Sequence, residues 1–556
     1  MLLNKKLNSF YKGEKVDIFA VPTVGFSDQK FGTSGLRKKV TVFQQEHYLE
    51  NAVQAIFDCL DGFEGKTLII GGDGRYHNNR AIQTIIKMAI ANQFGHIIVG
   101  QDGLLSTPAV SHLIPKRSAF GAIILTASHN PGGKDGDFGI KYNIATGAPA
   151  PPQLTDAFSQ RCTQIDRYWM IKAPDVDLSK QHEVTIGSTL IEVIDPVADY
   201  ATYMQQIFDF EAIKKLFQSG FKMTFDAMNG VTGPYAKQIF EQTLGAEVGS
   251  VIHGVPLPDF GGLHPEPNLF YAKHLVDLAY SEKAPDLCAA SDGDGDRYMI
   301  LGKSFFVSPA DSLAVLAEHM EKIPFYKGRF YGAARSMPTA AALDAVCQKL
   351  KKDCYQTPTG WKFFTSLLEN KKISLCGEES FGTGSFHVLE KDGLWAILFW
   401  LNILAITGKT PEKITQELWK KYGRIYARTY NYHTEKAENA VRLMDSLSAK
   451  IPNLSNRKMG GGFKIEKAFI FDYTDPVTDE QTTNQGIVLE LTNEARVFAR
   501  LSGTSASGAT LKVYLSQKST LLDLDPAALL QPLETAATEL LQLKKYLGDK
   551  VDISVT

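Results

Sequence analysis

The apolar residues Leu49, Ala52, Val53, Ile56, Phe57 and Leu60 fall at i, i+3, i+4 and i+7, a spacing that predicts an amphipathic helix. A continuous apolar run at 67–70 follows, then a glycine-rich turn at 71–74, a second helical pattern in Ile82, Ile85, Ile86, Ala89 and Ile90, and a short apolar run at 97–99. Runs this short predict strands, and their alternation with helices predicts βαβ units. The round closes on a strand at 122–125 that runs into a polar loop at 126–133. A second round has strands at 223–225 and 287–290 around a helix carrying Tyr235, Ile239, Phe240 and Leu244, and ends at Asp292. A third runs from Phe330 through a helix with Ala341, Leu343, Val346 and Leu350 to a strand at 374–376, ending at Gly377. Ligands of α/β sheets bind outside the carboxyl ends of the strands, so these three loops are the expected sites.

After Tyr422 the pattern changes: a strand at 426–432, a helix at 435–449, a hairpin of 487–491 with 497–501 and a last helix at 527–546 predict a smaller α+β unit. The expected fold is therefore α/β: three similar α/β domains followed by an α+β C-terminal domain, at 1–198, 199–308, 309–425 and 426–556. Proline- and glycine-rich stretches at 146–152 and 254–267 predict loops, and the second is long enough to suggest a function.

Length agrees with several domains, since 556 residues exceed the roughly 250–300 that one core supports. Apolar and charged fractions of 44% and 22% are those of a packed globular protein. A net charge of -2 provides no broad basic field, which argues against nucleic acid as a partner. The six cysteines, at 59, 162, 288, 347, 354 and 376, form no C-x-x-C pair, and a reducing cytoplasm is the expected location. Residues 1–6 lack the apolar stretch of a signal peptide. The longest apolar run, 394–407, is interrupted by Asn402 and is shorter than the roughly 18 residues of a membrane span, so it predicts a buried core helix and no membrane partner.

Four loops carry unusual chemistry. TASHNPGG at 126–133 places the Ser128 hydroxyl beside the His129 imidazole among glycines that let backbone N–H groups approach an anion. Adjacent Ser and His do not make a hydrolase triad, whose members come from distant segments. DGDGDR at 292–297 sets Asp292, Asp294 and Asp296 at alternate positions. Three such carboxylates repel one another unless a divalent cation sits among them. A calcium EF-hand is excluded because its glycine and glutamate positions hold Arg297 and Lys303. GEESFG at 377–382 offers carboxylates and a hydroxyl suited to vicinal sugar hydroxyls, and RLSGTSASG at 500–508 has the guanidinium, hydroxyls and free N–H groups of a phosphate cradle.

Taken together with GTSGLR at 32–37, GIK at 139–141 and TGWK at 359–362, these loops resemble the α-D-phosphohexomutase family over nearly the whole chain. The resemblance implies four domains with mixed sheets around a central cleft. It also implies an enzyme that moves a phosphoryl group within a hexose phosphate, with Ser128 as its phosphorylated carrier. GEESFG is the version associated with glucose phosphates, so the implied reaction interconverts glucose 1-phosphate and glucose 6-phosphate through glucose 1,6-bisphosphate, which also serves as activator. Asp292, Asp294, Asp296 and a phosphoserine oxygen of Ser128 would hold Mg2+. Arg37, Arg297 and Lys141 would balance the remaining charge, and His129 and Lys141 both stand as candidate proton carriers. By the same resemblance Glu378, Ser380, Thr359, Gly360 and Lys391 would contact the sugar, and Arg500, Ser502, Gly503 and Thr504 its non-reacting phosphate. A monomer is the simplest expectation.

Two positions depart from the family pattern. Lys512 stands where an arginine is usual and lacks the bidentate fork, an expectation of weaker phosphate affinity. Phe386 replaces a polar residue after the sugar loop, an expectation of altered packing there. The alternatives are a non-catalytic paralogue, against which every matched catalytic position is present, and a mutase that also accepts mannose phosphate.

Overall fold

The computed structural model describes residues 16–32, 34–505, 508–548 and 552–555, with 503–505 as backbone. The N-terminal extension up to residue 15, Thr33, Ala506 and Ser507 lie outside the described residues.

Three sheets repeat one plan. In the first, Gly121–Leu125, Thr67–Gly72, His96–Leu104 and Thr189–Ile194 run parallel, with antiparallel Asp137–Ile144 and Leu36–Lys39 on one flank and His182–Ile186 on the other. In the second, parallel Val251–Ile252, Met223–Asp226 and Leu287–Ser291 are followed by antiparallel Tyr298–Gly302 and Phe305–Val307. The third has parallel Asp353–Thr357, Gly332–Ser336 and Leu375–Gly377, then antiparallel Thr383–Ser385. The chemistry-bearing loops of the three sheets, 126–136, 292–297 and 378–382, each join the last parallel strand to its antiparallel neighbour. A hairpin at that point fixes a short loop at the carboxyl edge of the parallel strands, where ligands of such sheets bind.

The fourth sheet is antiparallel throughout, in the order Ile465–Ile470, Ile487–Leu491, Ala495–Ser505, Gly508–Ser519, Arg424–Thr434, Asp552–Val555. Helices Ala437–Lys450 and Pro526–Leu541 cover one face through Leu443, Leu447, Leu533 and Ala537 against Leu489, Val497 and Val513. Residues on the other face, Val488, Phe498 and Tyr514, pack with Met337 of the third unit.

One continuous apolar core, drawn from residues between Val197 and Leu418 with Ala109 of the first unit, serves the second and third sheets together. At its centre lies Gly393–Thr407, the helix expected from the longest apolar run. The Asp392 side chain caps it by accepting from the Trp395 N–H, and the left-handed Gly408 ends it. Its flanks are apolar on every side, as suits a helix enclosed by protein. No single described helix is long and apolar enough to cross a membrane. All six cysteines are free thiols.

Some elements differ from expectation. The helix expected around Tyr235 is a short α-helix, Thr232–Ala236, that widens into a π-helix at Lys237–Thr243, where the Leu244 N–H donates to the Ile239 carbonyl at 2.9 Å. The last helix stops at Leu541 because Gln542 turns left-handed, with φ 53°, before a final turn at Leu543–Leu547. The sheets are mixed, as the resemblance implies, but the sequence pattern does not locate the individual antiparallel strands that follow the three loops or the long strand Gly508–Ser519.

Candidate active site

Ser128 sits at the end of a buried strand in the left-handed region, with φ 53°, a strained conformation that its surroundings hold in place. Its N–H donates to the Thr126 hydroxyl at 2.7 Å, and that hydroxyl donates to Asp73 at 2.7 Å. Asp73 in turn forms a fully buried ion pair with Arg75 at 2.9 Å. The Arg75 guanidinium donates to the Ser128 carbonyl at 2.8 Å and the Asp137 carbonyl at 2.8 Å, so it grips both ends of the serine loop. The Ser128 hydroxyl donates to Asp292 Oδ2 at 2.9 Å and lies 3.4 Å from His129 Nδ1. Burial, reinforced by Arg297, Arg37 and Lys391, pushes the His129 imidazole well below its ordinary range and keeps it neutral.

Asp292, Asp294 and Asp296 are buried, and each offers a carboxylate oxygen within 4.8 Å of the others. The glycines between them are required: a Cβ on Gly293 would stand 2.7 Å from the Ser128 carbonyl, and Gly295 has φ 83°. Burial and then Asp296 and Asp294 push the Asp292 carboxyl well above the usual carboxylate range, and burial with Asp296 raises Asp294. Burial also acts upward on Asp296, but Lys391 at 3.0 Å and Arg297 outweigh it and hold this carboxyl low. Asp294 Oδ1 and Asp296 Oδ1 are buried without hydrogen-bond partners. An all-oxygen set with two such orphaned atoms fits a hard divalent cation.

The loop is locked from the neighbouring units. Thr107 donates through its hydroxyl to Asp294 Oδ2 at 2.7 Å and through its N–H to the Asp294 carbonyl at 3.0 Å. The Gly393 N–H donates to the Gly295 carbonyl at 3.0 Å, and Arg297 forms a β-bridge with Gly382 of the sugar loop. Arg37 lines the same region; burial pushes its guanidinium down, Asp294 opposes that, and its buried Nε meets no acceptor. Lys141 is tied to Glu390 at 2.7 Å, and Asn143 donates to the same Glu390 oxygen at 2.9 Å.

In the sugar loop Glu378 is buried, accepts from the Gly360 N–H at 3.2 Å and lies 4.0 Å from Lys391. Burial raises its carboxyl, and Lys391 opposes the rise. Ser380 is half-buried beside it, and the Thr359 hydroxyl is buried without a partner. Lys391 lies between Glu378 at 4.0 Å and Asp296 at 3.0 Å, so the loops 377–382 and 292–297 share one cation. The Phe386 ring stacks on Phe325 at 5.8 Å and meets Tyr326 edge-on at 5.4 Å, so its packing is with aromatic core residues.

On the fourth sheet Arg500 stands directly opposite Lys512, and Ser502 opposite Thr510. Like charges directly opposite in a sheet repel, and an anion between them relieves the strain. Burial and then Arg500 push Lys512 below its ordinary value. The Arg500 guanidinium donates to the Tyr514 hydroxyl at 3.1 Å, and that hydroxyl donates to Glu379 Oε1 at 3.3 Å. Gly503 and Thr504 continue the strand as backbone.

Four family models match the chain in sequence: "Phosphoglucomutase/phosphomannomutase, alpha/beta/alpha domain I" over residues 28–169, domain II of the same description over 198–304, domain III over 308–422, and "Phosphoglucomutase-1, C-terminal domain" over 424–551. The chain belongs to the α-D-phosphohexomutase family. Within that family it is 51% identical to a phosphoglucomutase of Rhizobium radiobacter over 90% of this chain and 92% of that protein. It is 45% identical to phosphoglucomutase-1 of Macaca fascicularis over 97% of this chain and 100% of that protein. The structure superposes on the open form of parafusin, a phosphoglucomutase of Paramecium, with TM-score 0.92 at 42% identity, covering 98% of this chain and 100% of that one.

Sequence reasoning passed over Asp73, Arg75, Thr126, Thr107, Glu390 and Tyr514. For the first two a signal exists: the glycine-rich turn 71–74 ends a parallel strand as the other loops do, and it carries Asp73 with Arg75 directly after it. Glu390 directly precedes Lys391, but nothing in its spacing reveals that it faces Lys141.

Proposed function

We propose that the chain interconverts glucose 1-phosphate and glucose 6-phosphate, with Ser128 carrying the phosphoryl group. Full-length relatives at 45% and 51% identity are phosphoglucomutases, which supports the activity. The observation that carries the assignment of Ser128 is its hydroxyl, 2.9 Å from Asp292 inside a buried three-carboxylate cluster.

Asp292, Asp294 and Asp296, with an oxygen of phospho-Ser128, would hold Mg2+. When bound, that ion supplies positive charge opposite the equatorial oxygens of the transferring group. The chain's own residues do the rest. Arg37, Arg297 and Lys391 stand beside the same carboxylates and would add fixed positive charge toward the transferring group. In the first half-reaction the bond between phosphorus and the Ser128 oxygen breaks as a bond to O6 of glucose 1-phosphate forms, and the O6 proton ends on the Ser128 oxygen, which leaves as a hydroxyl. The bisphosphate then turns over, the bond between phosphorus and O1 breaks as the Ser128 oxygen takes that phosphoryl group, and the serine proton ends on O1. His129 Nδ1, 3.4 Å from the Ser128 oxygen, is placed to relay the proton, while Lys141 is held at 2.7 Å by Glu390. Glu378, Ser380, Thr359, Gly360 and Lys391 orient the sugar in either direction. Arg500, Ser502, Gly503, Thr504 and Lys512 hold the phosphate that does not react. Glucose 1,6-bisphosphate restores enzyme that has lost its phosphate.

The test is conversion of glucose 1-phosphate to glucose 6-phosphate with a trace of bisphosphate. Activity should vanish with EDTA and return with magnesium. Full turnover after exhaustive chelation would remove the metal from this account, and no turnover under any of these conditions would remove the reaction.

A further inference from the structure

A second convergence of ligand-type side chains lies in the second sheet. Asp226 ends the strand Met223–Asp226, His253 follows the strand Val251–Ile252, and His274 is on the helix Lys273–Ala279. Each offers one ligand atom within 4.8 Å of the other two. Asp226 is fully buried, whereas the two histidine side chains are each 38% exposed, so the cluster opens to solvent on one side. His253 Nδ1 is 2.9 Å from Asp226 Oδ1, and His274 Nε2 contacts Asp226 Oδ2. The Met228 N–H donates to Asp226 Oδ1 at 2.8 Å and fixes the carboxylate. His253 sits at φ 46°, an uncommon conformation for a residue with a side chain. A single imidazole would neutralise the buried carboxylate; two imidazoles converge on it from either end of one loop.

We propose that Asp226, His253 and His274 form a second metal site, for a divalent transition cation with zinc preferred, that staples the two ends of the loop 254–272. Two imidazole nitrogens and a carboxylate oxygen are a zinc-type donor set, with water as the fourth ligand on the exposed side. Magnesium demands oxygen ligands and does not compete here. Tetrahedral zinc wants ligand atoms roughly 3.3 Å apart, and the three ligand atoms here lie within 4.8 Å of one another.

The loop so stapled serves the active site. The Pro258 carbonyl accepts from the N–H groups of Tyr76 and Gly133, the Phe260 ring lies under the Arg75 guanidinium at 5.2 Å, and Glu266 approaches Arg297 at 3.7 Å. Zinc at the base of the loop therefore stiffens the element that backs the serine loop.

The experiment is a zinc titration of metal-stripped full-length protein in excess magnesium, read by competition with a chromogenic chelator, with cobalt as a spectroscopic probe. Wild type should bind one equivalent and show the visible absorption of tetrahedral cobalt. His253→Asn and His274→Asn should each weaken binding at least tenfold with circular dichroism unchanged, and Asp292→Asn should keep it. Zinc should also slow limited proteolysis within 254–272 in wild type and not in the histidine variants. Absence of zinc binding in excess magnesium, or binding that survives both histidine substitutions, overturns the site. Binding without protection of the loop overturns the staple.

Discussion

Ser128 and the Asp292 loop are tied down from three sheets, whereas the fourth sheet, which carries Arg500 and Lys512, meets the third unit through one small apolar cluster around Met337 and a few polar bonds. Thr126, Asp73, Arg75 and Thr107 fix the reacting half, and the bridge of Arg297 to Gly382 joins it to the sugar loop. Across to the fourth unit, the described polar links include Tyr514 with Glu379 at 3.3 Å, Arg496 with the Met337 carbonyl, and Ser366 with Asp475 at 3.1 Å. The difference follows from what each half must do. Phosphoryl transfer requires donors and carboxylates placed before substrate arrives, because reorganising them during the reaction raises the barrier. In the proposed cycle the region of Arg500 and Lys512 would release the bisphosphate far enough to turn and then close again to exclude water. An interface of one apolar cluster and a few polar links permits such motion.

The comparison breaks first at Asp73. Asp73→Asn leaves the buried Arg75 charge uncompensated, which should destabilise the first unit by about 3–5 kcal/mol and lower kcat by about a hundredfold through misplacement of Ser128. Urea unfolding and steady-state kinetics measure both, and a wild-type kcat would show that the serine loop does not depend on this pair. A smaller effect is expected at the grip. Tyr514→Phe removes the hydroxyl between Arg500 and Glu379, so KM should rise about tenfold with kcat nearly unchanged. A fall in kcat at constant KM would place Tyr514 with the reacting half. Smallest is Glu378→Gln, which keeps shape but loses the charged acceptor. It should narrow the preference for glucose 1-phosphate over mannose 1-phosphate by about fivefold, roughly 1 kcal/mol. Competition assays give the ratio, and an unchanged value would remove Glu378 from substrate choice.

The same division runs through what could be read in the sequence. Short apolar runs ending in DGDGDR or GEESFG located three loops at strand ends, because a buried parallel strand is continuous in its hydrophobicity and its terminus is abrupt. Their antiparallel partners were not legible: Thr383–Ser385 is too short to show alternation, and Asp137–Ile144 begins inside a polar motif. The strand Gly508–Ser519 alternates through Leu511, Lys512 and Val513, yet its glycine-rich approach resembles a loop. Residues that act through contacts between units, such as Thr107 on Asp294 or Glu390 on Lys141, are distant in the chain and leave no local pattern. Burial of Tyr514 between Arg500 and Glu379 is likewise a property of the assembled sheets.

The central claim is that Ser128 carries the phosphoryl group, and peptide mass mapping of the purified protein tests it most directly. One phosphate should lie on the peptide containing Ser128, and adding glucose 1-phosphate should remove part of it as glucose 1,6-bisphosphate appears. Ser128→Ala should carry none and should not turn over. Active wild-type protein without phosphate on that peptide, or a Ser128→Ala variant with near wild-type turnover, would contradict the account.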